Sequence, residues 1–90
     1  MWGGHRPAPP MPRSSRSPRQ RRLQQLLTEG RLAGQLTQAE VAERLGRPQS
    51  FVSKYEAGER RLDVVELMEV AEVIGLDLND LLAELRRIPE

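Results

Sequence analysis

The sequence holds no cysteine. That excludes disulfides, thiolate metal sites and a cysteine nucleophile, and it agrees with a reducing compartment. One histidine is present, His5, in an arginine- and proline-rich leader where an imidazole has no partner to work with. Aromatics are scarce: Trp2, Phe51 and Tyr55. No run of about 18 apolar residues occurs, so neither a membrane span nor a membrane partner is expected. The N-terminus lacks the apolar stretch of a secretory signal. Acidic residues are scattered without metal-ligand spacing, and no nucleophile with base and orienting group can be assembled. The expectation is a cytoplasmic, non-enzymatic chain with no cofactor and no metal.

What is there is short and unevenly charged. Ninety residues allow one domain with a modest core. The net charge of +1 says little by itself. Its distribution says more: residues 1–28 hold six arginines and no acid, whereas residues 29–90 hold eight basic and thirteen acidic side chains. All basic residues but Lys54 are arginine. Arginine suits phosphate, although a codon bias would give the same count.

Residues 1–18 carry most of the prolines and no apolar periodicity, and read as a disordered basic tail. Such a tail serves as a solvated leader or as an arm along DNA. From Arg19 the pattern becomes helical. Leu23, Leu26 and Leu27 form one apolar stripe. Gly30 interrupts this helix and Gly34 lies near its end. Thr37-Gln38-Ala39-Glu40 is a capping box that opens a second helix, lined inside by Val41, Ala42 and Leu45 and stopped by Gly46. Pro48 suits the start of a third helix, Gln49 to Ala57, which Gly58 ends. Asp63 and Glu66 mark another capping signature before the stripe Leu67, Val70, Ala71 and Ile74. Asp77 caps a fifth helix with the stripe Leu78, Leu81, Leu82 and Leu85. No segment alternates as a strand does. The expected fold is all-α, five short helices in residues 19–88.

The informative unit is Thr37 to Gly58: two short helices joined by the tight turn Gly46-Arg47-Pro48. The second of them turns Val52 and Tyr55 inward and Gln49, Ser50, Ser53 and Lys54 outward. Small and amide side chains on a helix of this size suit the major groove of DNA. Gln49, at the helix N-terminus, can bond adenine N6 and N7. Ser50 and Ser53 can donate or accept at any base edge, and Lys54 can reach guanine or a phosphate. Phosphate contacts are expected from Gln38 at an open helix N-terminus, from Arg47 in the turn, and from Arg60 and Arg61 beyond. Phe51 could touch a sugar or a thymine methyl, or belong to the core. Two capped helices also occur in ordinary bundles, where these polar residues merely face solvent.

The stretch from Leu36 to Leu82 contains LTQ-x-x-VA-x-x-LG, then QS-x-VSK-x-E-x-G, then an R-x-L loop and two further amphipathic helices. It resembles the Xre/Cro-type helix-turn-helix family of lambdoid repressors and bacterial regulators. The resemblance implies a five-helix lambda-repressor-like bundle and a transcriptional regulator, with a repressor expected. It implies that Gln38 bonds a phosphate and braces Gln49, that Ser50, Ser53 and Lys54 set specificity, and that Glu56 holds the fold. Family members usually have glycine immediately before the leucine of LTQ; here Gln35 stands there, with Gly34 one place earlier.

One small domain makes few base contacts, so two copies on half-sites about 34 Å apart are expected. The homodimer face is expected on the last helix, at Leu78, Leu81, Leu85 and Ile88, unless these leucines only close the core. Two rivals are an antitoxin holding a toxin partner, and a protein-interaction module that kept this fold.

Overall fold

Helix formation begins one residue earlier than periodicity places it, because the cap lies upstream. The computed structural model describes residues 17–90. Ser17 accepts the amide of Gln20 at 2.9 Å, and Pro18 occupies the first turn, where its missing N–H is no loss. The first helix, α1, therefore spans Pro18–Ala33. The tail expected in residues 1–18 falls, up to residue 16, outside the described residues, as does His5.

Helix α2 covers Gln38–Leu45 behind the capping box of Thr37 and Glu40, with both reciprocal bonds formed. Gly46 ends it at φ 68, a left-handed conformation that a β-carbon disfavours. Helix α3 is Gln49–Ala57, α4 is Val64–Ile74 and α5 is Leu78–Arg86. Asp63 and Glu66 form the second reciprocal box, and Asp77 accepts the amide of Asp80 at 3.0 Å. Among the described residues no strand is present. No helix among them is long and apolar enough to cross a membrane.

The core draws on all five helices. Leu27 comes from α1, Val41 and Ala42 from α2, and Phe51, Val52 and Tyr55 from α3. The α4 stripe Leu67, Val70, Ala71 and Ile74 is buried whole, while α5 gives Leu81 alone. Burying side chains of this size contributes roughly 1.5–3 kcal/mol each. Phe51 and Tyr55, one helical turn apart, meet edge to face with centroids 5.5 Å apart. Helix α2 packs on α3 and α4, while α1 runs against α3, α4 and α5. Arg19 closes the circuit: its Nε donates to the carbonyl of Ile88 at 2.7 Å and its amide to Glu90 at 3.0 Å. These two bonds hold the start of α1 against the last described residues.

Gly30 does not interrupt α1. It is buried inside an unbroken helix, and a β-carbon built there would lie 2.9 Å from Cγ of Leu76. The glycine lets the α4–α5 turn approach α1. The α1–α2 turn is closed by Gln35, which takes a left-handed φ of 59 without being glycine.

Candidate nucleic-acid interface

The helix-turn-helix is positioned by packing on its inner side. Val52 and Tyr55 are anchored in the core, and at 100° per residue this leaves Gln49, Ser53, Ser50 and Lys54 on an outward arc of about 140°. Gln49, Ser50 and Lys54 are exposed and Ser53 is half-buried. The Ser53 hydroxyl donates back to the carbonyl of Ser50 at 3.2 Å, so towards a ligand it is chiefly an acceptor. Pro48 supplies no side-chain cap, which leaves the first amides of α3 open at the positive end of its dipole.

Gln38 takes a different partner from the one expected. Its Nε2 donates to Glu56 Oε1 at 2.9 Å, and among the described residues it makes no hydrogen bond to Gln49. A carboxylate is the stronger acceptor, and Glu56 is already fixed close by. The second hydrogen of the Gln38 amide makes no hydrogen bond among the described residues. The brace of the pair of helices is therefore Glu56. Its carboxylate also receives Arg31 Nε at 2.7 Å and Nη2 at 3.0 Å, while Arg31 Nη1 donates to the carbonyl of Leu36 at 2.9 Å. One ion pair so ties α1, the α1–α2 turn, α2 and α3. The hydrogen bonds it donates to Glu56 hold the Arg31 guanidinium above its ordinary pKa.

Of the two places open to Phe51, the structure gives it the core, at 7% exposure. Its residual surface is roofed by two guanidinium groups, with Arg47 Cζ 4.5 Å and Arg60 Cζ 4.7 Å from the ring centroid. Both cations also reach Glu66. Arg60 makes a paired contact, Nη1 to Oε1 and Nη2 to Oε2 at 3.0 Å each, and Arg47 Nη2 approaches Oε2 at 3.4 Å. The Arg60 fork and the Asp63 amide hold the Glu66 carboxyl down to a pKa of about 2. Arg61 is exposed, and its carbonyl accepts from Arg60 at 2.7 Å.

The apolar stripe of α5 is largely covered within the chain. Leu81 is buried at 5% exposure, and Leu78, Leu85 and Ile88 are half-buried, because α5 lies against α1. Among the described residues, the large apolar side chains in the open are Val64, Val65 and Met68 of α4, with Leu32 of α1. Val65, Met68 and Leu78 share one groove, rimmed by Glu69, Glu72 and Asp77. The signal was present in the sequence, since Val64, Val65 and Met68 lie off the buried stripe of α4. Glu66 and Arg31 carry no such signal: the sequence marks Glu66 as a cap only, and its spacing from Arg60 is not helical.

The comparisons agree with this geometry. A family model described as helix-turn-helix matches residues 27–81, more than half of the chain. A solved structure, an XRE-family like protein from Pseudomonas syringae pv. tomato str. DC3000, is similar at 51% identity with a TM-score of 0.75. The match covers 80% of this chain and 88% of that one. No curated protein matches the chain. From the matched helix-turn-helix and the identity to an XRE-family like structure, the chain belongs to the Xre-type helix-turn-helix family of DNA-binding regulators.

Proposed function

We propose that this chain binds double-stranded DNA at a specific sequence, reading the major groove with α3, and represses transcription by occupying its site. The observation that carries the reading is the outward arc of Gln49, Ser50, Ser53 and Lys54, with an open helix N-terminus at one end and the guanidiniums of Arg47 and Arg60 beside it. Amide and hydroxyl groups on that arc match base edges, and the cations and the Gln38 amide match phosphates. Repression by occupancy asks nothing more of the fold than such a site. The reading places the protein in the cytoplasm, with the DNA, and asks for no cofactor.

A second copy completes the reading. A helix of nine residues reaches few bases, and two copies on neighbouring half-sites supply the remaining discrimination. The open apolar side of α4, with Val65 and Met68, supports a face between copies there in place of the α5 stripe.

Selection of bound duplexes from random DNA tests this directly. An enriched sequence with two-fold symmetry and half-site centres about 34 Å apart is expected, bound with strong salt dependence. Failure to enrich any duplex would remove the reading.

A further inference from the structure

Glu66 touches two of the expected phosphate contacts, Arg47 and Arg60, and it is not loosely placed. Its Oε1 accepts the Asp63 amide at 2.9 Å, which closes the cap of α4, and the carboxylate also takes both forks of Arg60 and the tip of Arg47. Its side chain is only 12% exposed, against 38% for each arginine. The carboxylate cannot swing away from the arginines without also opening the α4 cap. Beneath the two guanidiniums lies the Phe51 ring, itself locked in the core. Arg47 comes from the turn before α3 and Arg60 from the loop after it. One carboxylate and one ring thus fix two cations that flank the recognition helix.

We propose that Glu66 is a positioning residue for DNA: acting through Arg47 and Arg60 over Phe51, it fixes both guanidiniums where their remaining donors meet backbone phosphates on either side of α3. This inference rests on the DNA-binding reading above. Of the five N–H donors of Arg60, three are engaged by Glu66 and the Arg61 carbonyl, which leaves two for a phosphate. Arg47 gives one donor to Glu66 and keeps the others. An arginine released from the pair would recover its many rotamers and lose them again on binding. Coulomb attraction alone argues the opposite, since removing a negative charge beside DNA should tighten binding. The two effects have opposite signs, which makes the role measurable.

The experiment compares the full chain with Glu66→Gln and Arg60→Lys. The probes are a duplex recovered by selection and a random-sequence duplex, each titrated across salt concentrations. Glutamine keeps an oxygen for the Asp63 amide but loses the charge that gathers the arginines. Lysine keeps the charge of Arg60 but loses the paired fork. Both variants are expected to bind about tenfold more weakly on both duplexes, with a salt slope shallower by about 1. A variant weakened only by poor folding would lower the active fraction and leave the slope unchanged. Glu66→Gln binding as tightly as the parent or more tightly, with an unaltered slope, overturns the proposal and makes Glu66 a shield instead. If Glu66→Gln does not fold, Arg60→Lys decides alone, and parental affinity and slope in that variant overturn it. A parent chain that binds neither duplex would instead sink the DNA-binding reading.

Discussion

Arg31 and Glu56 form a paired, largely enclosed ion pair, 2.7 Å between Nε and Oε2 and 3.0 Å between Nη2 and Oε1, with side chains 11% and 7% exposed. It joins the first helix to the end of the recognition helix, and Glu56 extends the link to Gln38 at the head of α2. The orientation of the helix-turn-helix on α1 therefore passes through one carboxylate.

Glu56→Gln keeps the shape and removes the charge. Arg31 is then left enclosed without its counter-ion, which costs more than the intact pair contributes. A loss of about 3 kcal/mol is expected in urea unfolding at neutral pH. A loss below about 1 kcal/mol would show that water reaches Arg31 freely and that the pair behaves as a surface contact.

Gly30 offers a test in which helix propensity and packing disagree. In an open helix, Gly→Ala gains up to about 1 kcal/mol. Here the new β-carbon would meet Leu76 at 2.9 to 3.1 Å, a closeness that real side chains do not tolerate. Gly30→Ala is expected to destabilise the chain by about 1–2 kcal/mol. In a Leu76→Ala background the same change should become favourable. Thermal melting of the four variants reads the coupling, and additive effects would contradict the contact.

Much of this architecture was legible in the sequence, for a local reason. Thr37 with Glu40 and Asp63 with Glu66 each satisfy helix amides within four residues, so the starts of α2 and α4 need no tertiary information. The stripe Leu67, Val70, Ala71 and Ile74 is one face of one helix, and it is buried as periodicity requires. Long-range pairing could not be read in the same way. Arg31 finds Glu56 across 25 residues and Gly30 faces Leu76 across the fold, so neither belongs to a repeat. The α5 stripe left both a free face and a closed core open, because periodicity says which side is apolar and not what covers it. Of the candidate interface, the outward polar arc was legible from spacing. Phe51 was not, because a ring at the edge of that arc can turn either way, and here it turns in and carries two arginines.

The Glu66 carboxyl gives a pH signature. Its folded-state pKa lies near 2, below the ordinary carboxyl value of 4.5, so folding favours the ionised form. Its contribution is full above about pH 4.5 and drains as pH falls towards 2. Stability measured across that window should decline more steeply in the parent than in Glu66→Gln. Parallel curves would mean that the carboxylate gains nothing from Arg60 and the Asp63 amide.

The proposed base reading and phosphate contact can be separated at Gln49 and Arg61, both exposed. Gln49→Ala should relax one base position at a cost of roughly 1–3 kcal/mol and leave random DNA binding almost unchanged. Arg61→Ala should weaken selected and random duplexes alike and reduce the salt slope by about 1. Equal losses on both duplexes for Gln49→Ala would move Gln49 from reading bases to touching the backbone.

The face between copies can be tested at Met68. Its side chain is 52% exposed beside Val65 at 61%, so substitution there empties no core space. Met68→Glu adds a charge to a groove already rimmed by Glu69, Glu72 and Asp77. If two copies meet on this side of α4, the variant should melt close to the parent temperature and sediment as a monomer where the parent associates. Its binding curve on a symmetric site should also lose steepness. Because the acidic rims of two copies would repel, parental association on this face should strengthen with salt, while DNA binding weakens with it. The same polar substitution at Leu81 should unfold the domain, because that leucine lies in the core at 5% exposure. A Met68→Glu chain that still associates like the parent would return the contact to the half-buried side of α5, where Leu78, Leu85 and Ile88 lie.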